Sequence, residues 1–244
     1  FSAVSNVLGA INPVKEIVAA IKNINPRTLV LIDAAQAVGH MPLTVSEWNA
    51  DFVAFSAHKM YGPTGVGVLY GKASILESLA PVVFGGGMVL DVCAKETLYK
   101  DIPARFEAGT PNIGGVIALG AAIDYIQDIG LANIRAHERA LVTYALAHLQ
   151  ETFGETLRII GPIDPEKRGG IIAFSFQDIH PHDIAALLGE QNICVRAGEH
   201  CAAPLHRALA LPAPTRLSFG VYTTEEDIDR LIKTLETIRE TFTK

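Results

Sequence analysis

The 244 residues are 49% hydrophobic and 19% charged, which supplies a sizeable core and rules out a disordered chain. A formal charge of −6 argues against a nucleic-acid surface, and no uninterrupted apolar run reaches the roughly 18 residues of a membrane span. Three cysteines, an odd count without a CxxC pair, offer no disulfide framework and suit a reducing, cytoplasmic setting; no secretory leader is evident.

The chain opens Phe1-Ser2-Ala3-Val4, which reads as the middle or end of a strand. Asn12-Pro13 supplies an N-cap and first-turn pair for a helix to about Ile24, with Val14, Ile17, Val18 and Ile21 on one face. Strands are expected near 28–32, 51–55 and 66–70, and apolar strands alternating with helices imply a mostly parallel sheet covered on both faces. Residues 81–112, rich in Gly and Pro and poor in periodicity, read as one long functional loop. A mostly buried helix follows over 115–129, carrying Ile117, Leu119, Ala121, Ile123 and Ile126. A boundary near Gly130 divides an α/β portion, 1–130, from a C-terminal α+β domain, 131–244. The second part has a long helix over 131–153 and strands near 157–160, 170–176, 193–196 and 215–219. Helices are expected over 182–190 and 224–242, the last opened by Thr224 and Asp227 in a capping-box-like pair. Disordered linkers, internal repeats and low-complexity segments are not found.

Three places carry chemistry. In the run from Asp51 to Gly65 an apolar strand ends at Phe55, and Ser56, His58 and Lys59 follow before a Gly/Pro turn. An ammonium is costly to desolvate, so such a lysine is either a surface residue or one kept for Schiff-base chemistry. Upstream, the run Leu29 to Ile32 is followed at once by Asp33. Ligands of parallel sheets sit beyond the carboxyl ends of strands, so Asp33 and Lys59 would share a crevice; alternatively Asp33 caps its own turn. The third place is the loop Val195 to Pro204, where Cys201 lies beside His200 and near Arg196, and positive charge there favours thiolate. Cys93 and Cys194 are expected to be small buried hydrophobes, Cys194 within an apolar strand. His200, Cys201 and His206 lack the further ligand that a zinc site requires, and no resident metal is expected.

Together these residues resemble one family, the class V (fold type I) enzymes that use pyridoxal 5'-phosphate (PLP), and within it the cysteine desulfurases of the SufS type. The resemblance runs from Ser5-Asn6-Val7-Leu8-Gly9 almost to the last helix. It takes in Asp33-x-x-Gln36, Ser56-x-His58-Lys59-x-Tyr61-Gly62-Pro63 and Arg105-Phe106-Glu107-Ala108-Gly109-Thr110-Pro111-Asn112. The Cys201 loop and Arg216-Leu217-Ser218 complete it. Members of that family carry a further N-terminal part with the phosphate-binding helix and a residue that stacks on the pyridine; neither can be assigned here. Gly85-Gly86-Gly87 lies in the wrong place, so the resemblance implies an N-terminally truncated large domain joined to a small domain.

By resemblance, Lys59 holds the PLP aldehyde and shuttles protons, Asp33 keeps the pyridine nitrogen protonated and Gln36 hydrogen-bonds the 3′-oxygen. Ser56 and His58 contact the phosphate. Thr110 does so from a partner subunit, which implies a homodimer. Arg216 clamps the substrate carboxylate with help from Asn6, while Cys201 attacks the sulfur of L-cysteine, becomes a persulfide and releases alanine. His200 and Arg196 tune the thiol or position substrate. A sulfur-acceptor protein and iron–sulfur cluster assembly follow by the same resemblance. Other class V activities remain open, namely selenocysteine lyase acting on L-selenocysteine, aminotransferase and kynureninase-like lyase, as does an inactive remnant. One departure stands out, since the family usually has histidine where this chain has Glu199; a carboxylate aimed at Cys201 would slow persulfide formation.

Overall fold

Residues 1–176 and 178–242 are described by a computed structural model, in which the chain divides into two units. The first comprises Phe1–Ala3, Pro13–Gly39 and Leu43–Ile129; the second comprises Val4–Asn12, His40–Pro42 and the chain from Gly130 onward. A single cut near Gly130 therefore omits two short segments. Val4–Asn12 is tied into the second unit by backbone pairing of Ala10 with Arg168 and by Gly169 N–H donating to the Gly9 carbonyl at 2.8 Å.

The first unit starts with the helix Val14–Ile24 (α1), which buries Val14 and Val18 one turn apart and half-buries Ile17 and Ile21, as the 3.6-residue period requires. Pro13 occupies its N-cap position. Leu31–Asp33 (β1) lies between the Phe1–Ala3 stretch and, after the short helix Val45–Trp48 (α2), Phe52–Ser56 (β2). Both neighbours of β1 are parallel to it, with Ser2 opposite Asp33 on one side and Asp33 opposite Ala54 on the other. Gly67–Gly71 (β3) then pairs antiparallel with β2 and the helix Ala73–Ser78 (α3) follows. The stretch read as one loop contains a hairpin, Val89–Val92 (β4) with Thr97–Tyr99 (β5), whose β-forming residues are interrupted by a register shift between Val89 and Asp91. Ile113–Ile129 (α4) buries Gly115, Leu119, Ala122 and Ile126. It exposes Ile117 and Ile123, contrary to the expectation of a mostly buried helix, because apolar residues occupy every side of it.

In the second unit, Leu131–Phe153 (α5) leads into Leu157–Ile160 (β6) and Ile171–Phe176 (β7). The helix Pro181–Glu190 (α6), the edge strand Arg196–Ala197 (β8), the helix Ala203–Ala208 (α7), Thr215–Ser218 (β9) and the helix Glu225–Phe242 (α8) complete it. The four strands form an antiparallel sheet in the order β6-β7-β9-β8. One face carries the core, where Leu149 of α5, Phe174 of β7, Leu188 of α6 and Leu235 of α8 are all fully buried. Truncating Phe174 to alanine would cost about 3–5 kcal/mol at such a site. Val7 and the half-buried Leu8 cover Ile160 and Ala173 in a second cluster, joined by Ala202, Leu205 and Leu211. The segment that carries Asn6 and the loop that carries Cys201 thus share one small apolar base.

Arg168, fully buried, organises the same region and sequence reading did not single it out. Its guanidinium donates to the carbonyls of Pro162, Ile171 (2.9 Å) and Ile160 (2.8 Å), and burial pushes its pKa down to about 10. At Gly161 the backbone has φ +94°, and a Cβ there would lie 2.1 Å from the Leu8 carbonyl oxygen, so only glycine fits. The last helix is opened by reciprocal bonds: Thr224 N–H to Asp227 Oδ2 at 3.1 Å, and Asp227 N–H to Thr224 Oγ1 at 3.3 Å. Among the described residues no single helix is long and apolar enough to cross a membrane.

Candidate active site

Parallel pairing puts the carboxyl ends of β1 and β2 side by side in the first unit, with Asp33 the last residue of one and Ser56 of the other. Asp33 Oδ1 accepts from the Ala35 N–H at 2.9 Å, which shapes the following turn and leaves the second carboxylate oxygen unengaged among the described residues. Gln36 lies half-buried in that turn. Beyond Ser56 the chain closes a single 3-10 turn, Ala57–Lys59, in which the Ala57 carbonyl accepts from Met60 (2.9 Å) and Gly62 (3.0 Å). Ala57 and Met60 anchor this turn in the interior, so His58 and Lys59 between them face outward. Neither side chain has a hydrogen bond or ion pair among the described residues.

The two strand-end loops are pressed together at Gly39. A Cβ there would meet Met60 Cα at 3.0 Å and the Lys59 carbonyl oxygen at 3.2 Å, so a glycine lets the Asp33 loop support the Lys59 turn. Asp51, at the start of the β2 segment, is locked by Lys22 at 2.6 Å, Lys72 at 3.2 Å and the Val30 N–H at 2.8 Å. Thr110 lies exposed in the turn before α4, on a different element, and makes no hydrogen bond among the described residues.

The second unit assembles the other candidates. Arg196 and Arg216 are register partners across β8 and β9, two like charges opposed on one face of the sheet, an unfavourable pairing in the absence of an anion. Arg216 Nη1 donates to the Asn6 carbonyl at 2.9 Å, while its Nε is buried without a partner among the described residues. Burial, then the neighbouring Arg196, pushes its pKa below the usual value, although an arginine keeps its charge at neutral pH. Arg196 Nη2 approaches Cys201 Sγ at 3.8 Å. The thiol is exposed, on a loop where His200 (φ +51°) and Cys201 (φ +61°) both adopt the left-handed backbone.

His200 takes a different place from the one its neighbours in sequence suggest. Its ring is buried, 3% exposed, and neither nitrogen makes a well-formed hydrogen bond among the described residues, the Pro214 backbone being the polar neighbour that acts on it. Burial foremost, then the charges of Arg216, Arg196 and His206, pushes its pKa down to about 4. The ring is therefore neutral near pH 7 and adds no positive charge to the Cys201 loop; of the two residues considered for that role, Arg196 alone supplies it. Cys93 and Cys194 are both exposed, against expectation. Ile193 and Val195 turn toward the core and so aim Cys194 outward by simple alternation, and Cys93 lies at the end of the β4 hairpin strand. Glu199 is exposed too, so its carboxylate sits in solvent.

His206, considered from the sequence only as a zinc ligand, is 4% exposed with no hydrogen-bond partner on either ring nitrogen among the described residues, and sequence reading passed over the close pair of His40 Nδ1 with the fully buried Glu138 (2.6 Å). Neither has a motif-like spacing. A run of basic residue and paired glycines, Arg168-Gly169-Gly170, was the available sign of the buried arginine.

Comparison with known proteins places the chain in a family. The aminotransferase class-V family model matches residues 1–231. The chain belongs to the aminotransferase class-V family. This family is generally PLP-dependent. A relative from Halalkalibacterium halodurans named "Probable cysteine desulfurase" is 50% identical over 239 residues, covering 98% of this chain and 57% of that protein. Two solved structures are also similar. The apo cysteine desulfurase of Thermococcus onnurineus NA1 has a TM-score of 0.92 at 39% identity, over 97% of this chain and 58% of that one. The cysteine desulfurase CsdA (S-sulfonic acid) of Escherichia coli has a TM-score of 0.92 at 35% identity, over 99% of this chain and 58% of that one. The α/β, fold type I class expected from the sequence is met by these class-V structures. The chain spans little more than half the length of the relatives it matches.

Proposed function

We propose that this class-V protein is a PLP-dependent cysteine desulfurase, converting L-cysteine to L-alanine and leaving a persulfide on Cys201. The observation that carries this reading is the opposed pair Arg196 and Arg216 with the Cys201 sulfur 3.8 Å from Arg196. Two facing guanidinium groups call for an anion, and a thiol beside them suits a carboxylate-bearing substrate with reactive sulfur. A transaminase has no use for that thiol. The names of the relatives point the same way.

The residues at the β1 and β2 ends fit PLP by their chemistry: a carboxylate for a ring nitrogen, a hydroxyl and an imidazole for a phosphate, and an unpaired lysine for an aldehyde. When bound, PLP supplies that aldehyde and an electron sink for bonds at the substrate Cα and Cβ. Lys59 would hold the aldehyde and, once displaced by substrate amine, carry a proton to and from Cα. Asp33 would keep the ring nitrogen protonated, and Gln36 would hydrogen-bond the 3′-oxygen. Ser56 and His58 would bind the phosphate, joined by Thr110 of a second copy in a homodimer. Arg216 would clamp the substrate carboxylate through two parallel hydrogen bonds. Cys201 as thiolate would attack the substrate sulfur. An S–S bond forms as the Cβ–S bond breaks; the electron pair remains with the carbon, which takes a proton and leaves as alanine.

The outward thiol leaves the persulfide accessible to a sulfur-acceptor protein, in keeping with supply to iron–sulfur cluster assembly. Three exposed free cysteines suit a cytoplasmic location. The test is L-cysteine turnover by the purified protein with added PLP. A yellow adduct lost in Lys59→Ala, and alanine release with a KM raised about tenfold by Arg216→Lys, are expected. Transamination of L-cysteine with a 2-oxo acid at the native rate in Cys201→Ser would overturn the reading.

A further inference from the structure

We infer that Asn6 is a positioning residue for Cys201, acting through the backbone of His200; this rests on reading Cys201 as the sulfur-accepting thiol. Two consecutive residues with side chains, His200 at φ +51° and Cys201 at φ +61°, occupy a conformation that L-residues adopt singly and rarely. Such a pair persists only where the surroundings impose it. Among the described residues the peptide group between them is held by one bond, from Asn6 Nδ2 to the His200 carbonyl at 2.7 Å. Asn6 is itself held from behind, its own carbonyl accepting from Arg216 Nη1 at 2.9 Å. Its neighbour Val7, fully buried on Ile160 and Ala173, fixes the segment to the sheet. Elsewhere in the loop the Gly198 N–H donates to Pro214 (3.1 Å) and the Ala202 N–H to Glu199 (2.9 Å), Arg196 and Ala197 pair with Arg216 and Thr215 of β9, and Arg196 Nη2 approaches Cys201 Sγ at 3.8 Å.

This arrangement commits one of the two N–H groups of the amide that the family resemblance assigns to the substrate carboxylate. It also connects the carboxylate clamp to the nucleophile in two bonds: Arg216 to Asn6, and Asn6 to the residue before Cys201. Without the clamp the loop relaxes to negative φ, and the sulfur leaves Arg196. The consequence is a thiol that reacts more slowly even when no substrate is present.

The test is alkylation of the PLP-loaded protein by iodoacetamide without substrate, followed peptide by peptide. Exposed Cys93 and Cys194 serve as references within the same molecule. Asn6→Ala and the isosteric Asn6→Asp should slow Cys201 about fivefold, equivalent to about 1 kcal/mol at 1.36 kcal/mol per tenfold, and leave the reference thiols unchanged. In turnover kcat should fall in step, with KM for L-cysteine altered less than about twofold. A His200→Gly background, where the left-handed backbone at that position costs nothing while Cys201 keeps its own, should at least halve the effect of Asn6→Ala in free-energy terms. Unchanged Cys201 alkylation with a raised KM would return Asn6 to carboxylate binding and overturn the inference. So would an Asn6→Ala effect that is undiminished in His200→Gly. If instead the desulfurase reading fails, alanine release survives in Cys201→Ser while the alkylation results stand.

Discussion

Replacing Gly39 with alanine places a methyl carbon 3.0 Å from both Cα and Cβ of Met60 and 3.2 Å from the Lys59 carbonyl oxygen. Ordinary contact begins at 3.4 Å, so something must move by about 0.4 Å. Two of the three atoms are backbone, and Met60, 6% exposed, is held by its N–H on the Ala57 carbonyl at 2.9 Å, so the side chain cannot simply rotate away. Overpacking of this kind costs about 1–3 kcal/mol. The reduced freedom of the unfolded chain returns about 0.4–1 kcal/mol, leaving about 1 kcal/mol of net destabilisation. For a chain of this size that is a fall of about 2–4 °C in the melting temperature. The strain falls on the turn that carries Lys59, so PLP affinity, read by absorbance titration, should weaken about tenfold, or about 1.4 kcal/mol. Gly120→Ala is the control: it lies inside α4 with no atom within 4 Å of the new carbon, and should gain stability by up to about 1 kcal/mol without altering PLP affinity. Unchanged PLP affinity in a Gly39→Ala protein with a lowered melting temperature would refute the coupling of the two strand-end loops.

Burial alone would raise the Asp51 carboxyl, but hydrogen bonds from Lys22, the Val30 N–H and Lys72 hold it below its ordinary value of 3.8. A depressed carboxyl contributes stability above its unfolded pKa and loses it as pH falls through the folded one. Urea unfolding near neutral pH should therefore find Asp51→Asn less stable by about 2 kcal/mol, a difference that shrinks below pH 3.8; a constant difference into strong acid would contradict the assignment. Glu199→His should change the rate of persulfide formation by less than about threefold, because the exposed carboxylate is screened by solvent and salt. A larger acceleration, seen in single-turnover labelling, would mean that Glu199 turns toward Cys201.

Much of the site was legible because strand ends in an α/β sheet announce themselves. An aliphatic run that stops at Asp33, and another that stops before Ser56, His58 and Lys59, need only parallel pairing to meet, and β1 pairs with β2 in that sense. The β4–β5 hairpin escaped notice because its strands are only four and three residues long, and a register shift breaks the alternation that would have revealed them. His200 shows a related limit: adjacency to Cys201 in sequence says nothing about which side of a left-handed turn a ring occupies, and here it is the buried side. Arg168 and Asn6 work by donating to backbone carbonyls outside their own elements, at Ile160 and His200, and such bonds leave no periodic trace. Cys194 shows the limit of composition: the apolar triplet Ile193-Cys194-Val195 precedes the edge strand β8 instead of forming it, and only its outer two residues pack on the core.

The most direct test of the central claim is the mass of the Cys201 peptide after a single turnover of L-cysteine by the PLP-loaded protein, with Cys93 and Cys194 read in the same digest. One added sulfur atom on Cys201 alone, formed in step with alanine, is the result this account predicts. Alanine released while Cys201 stays unmodified, or sulfur spread equally over the three exposed thiols, would contradict it.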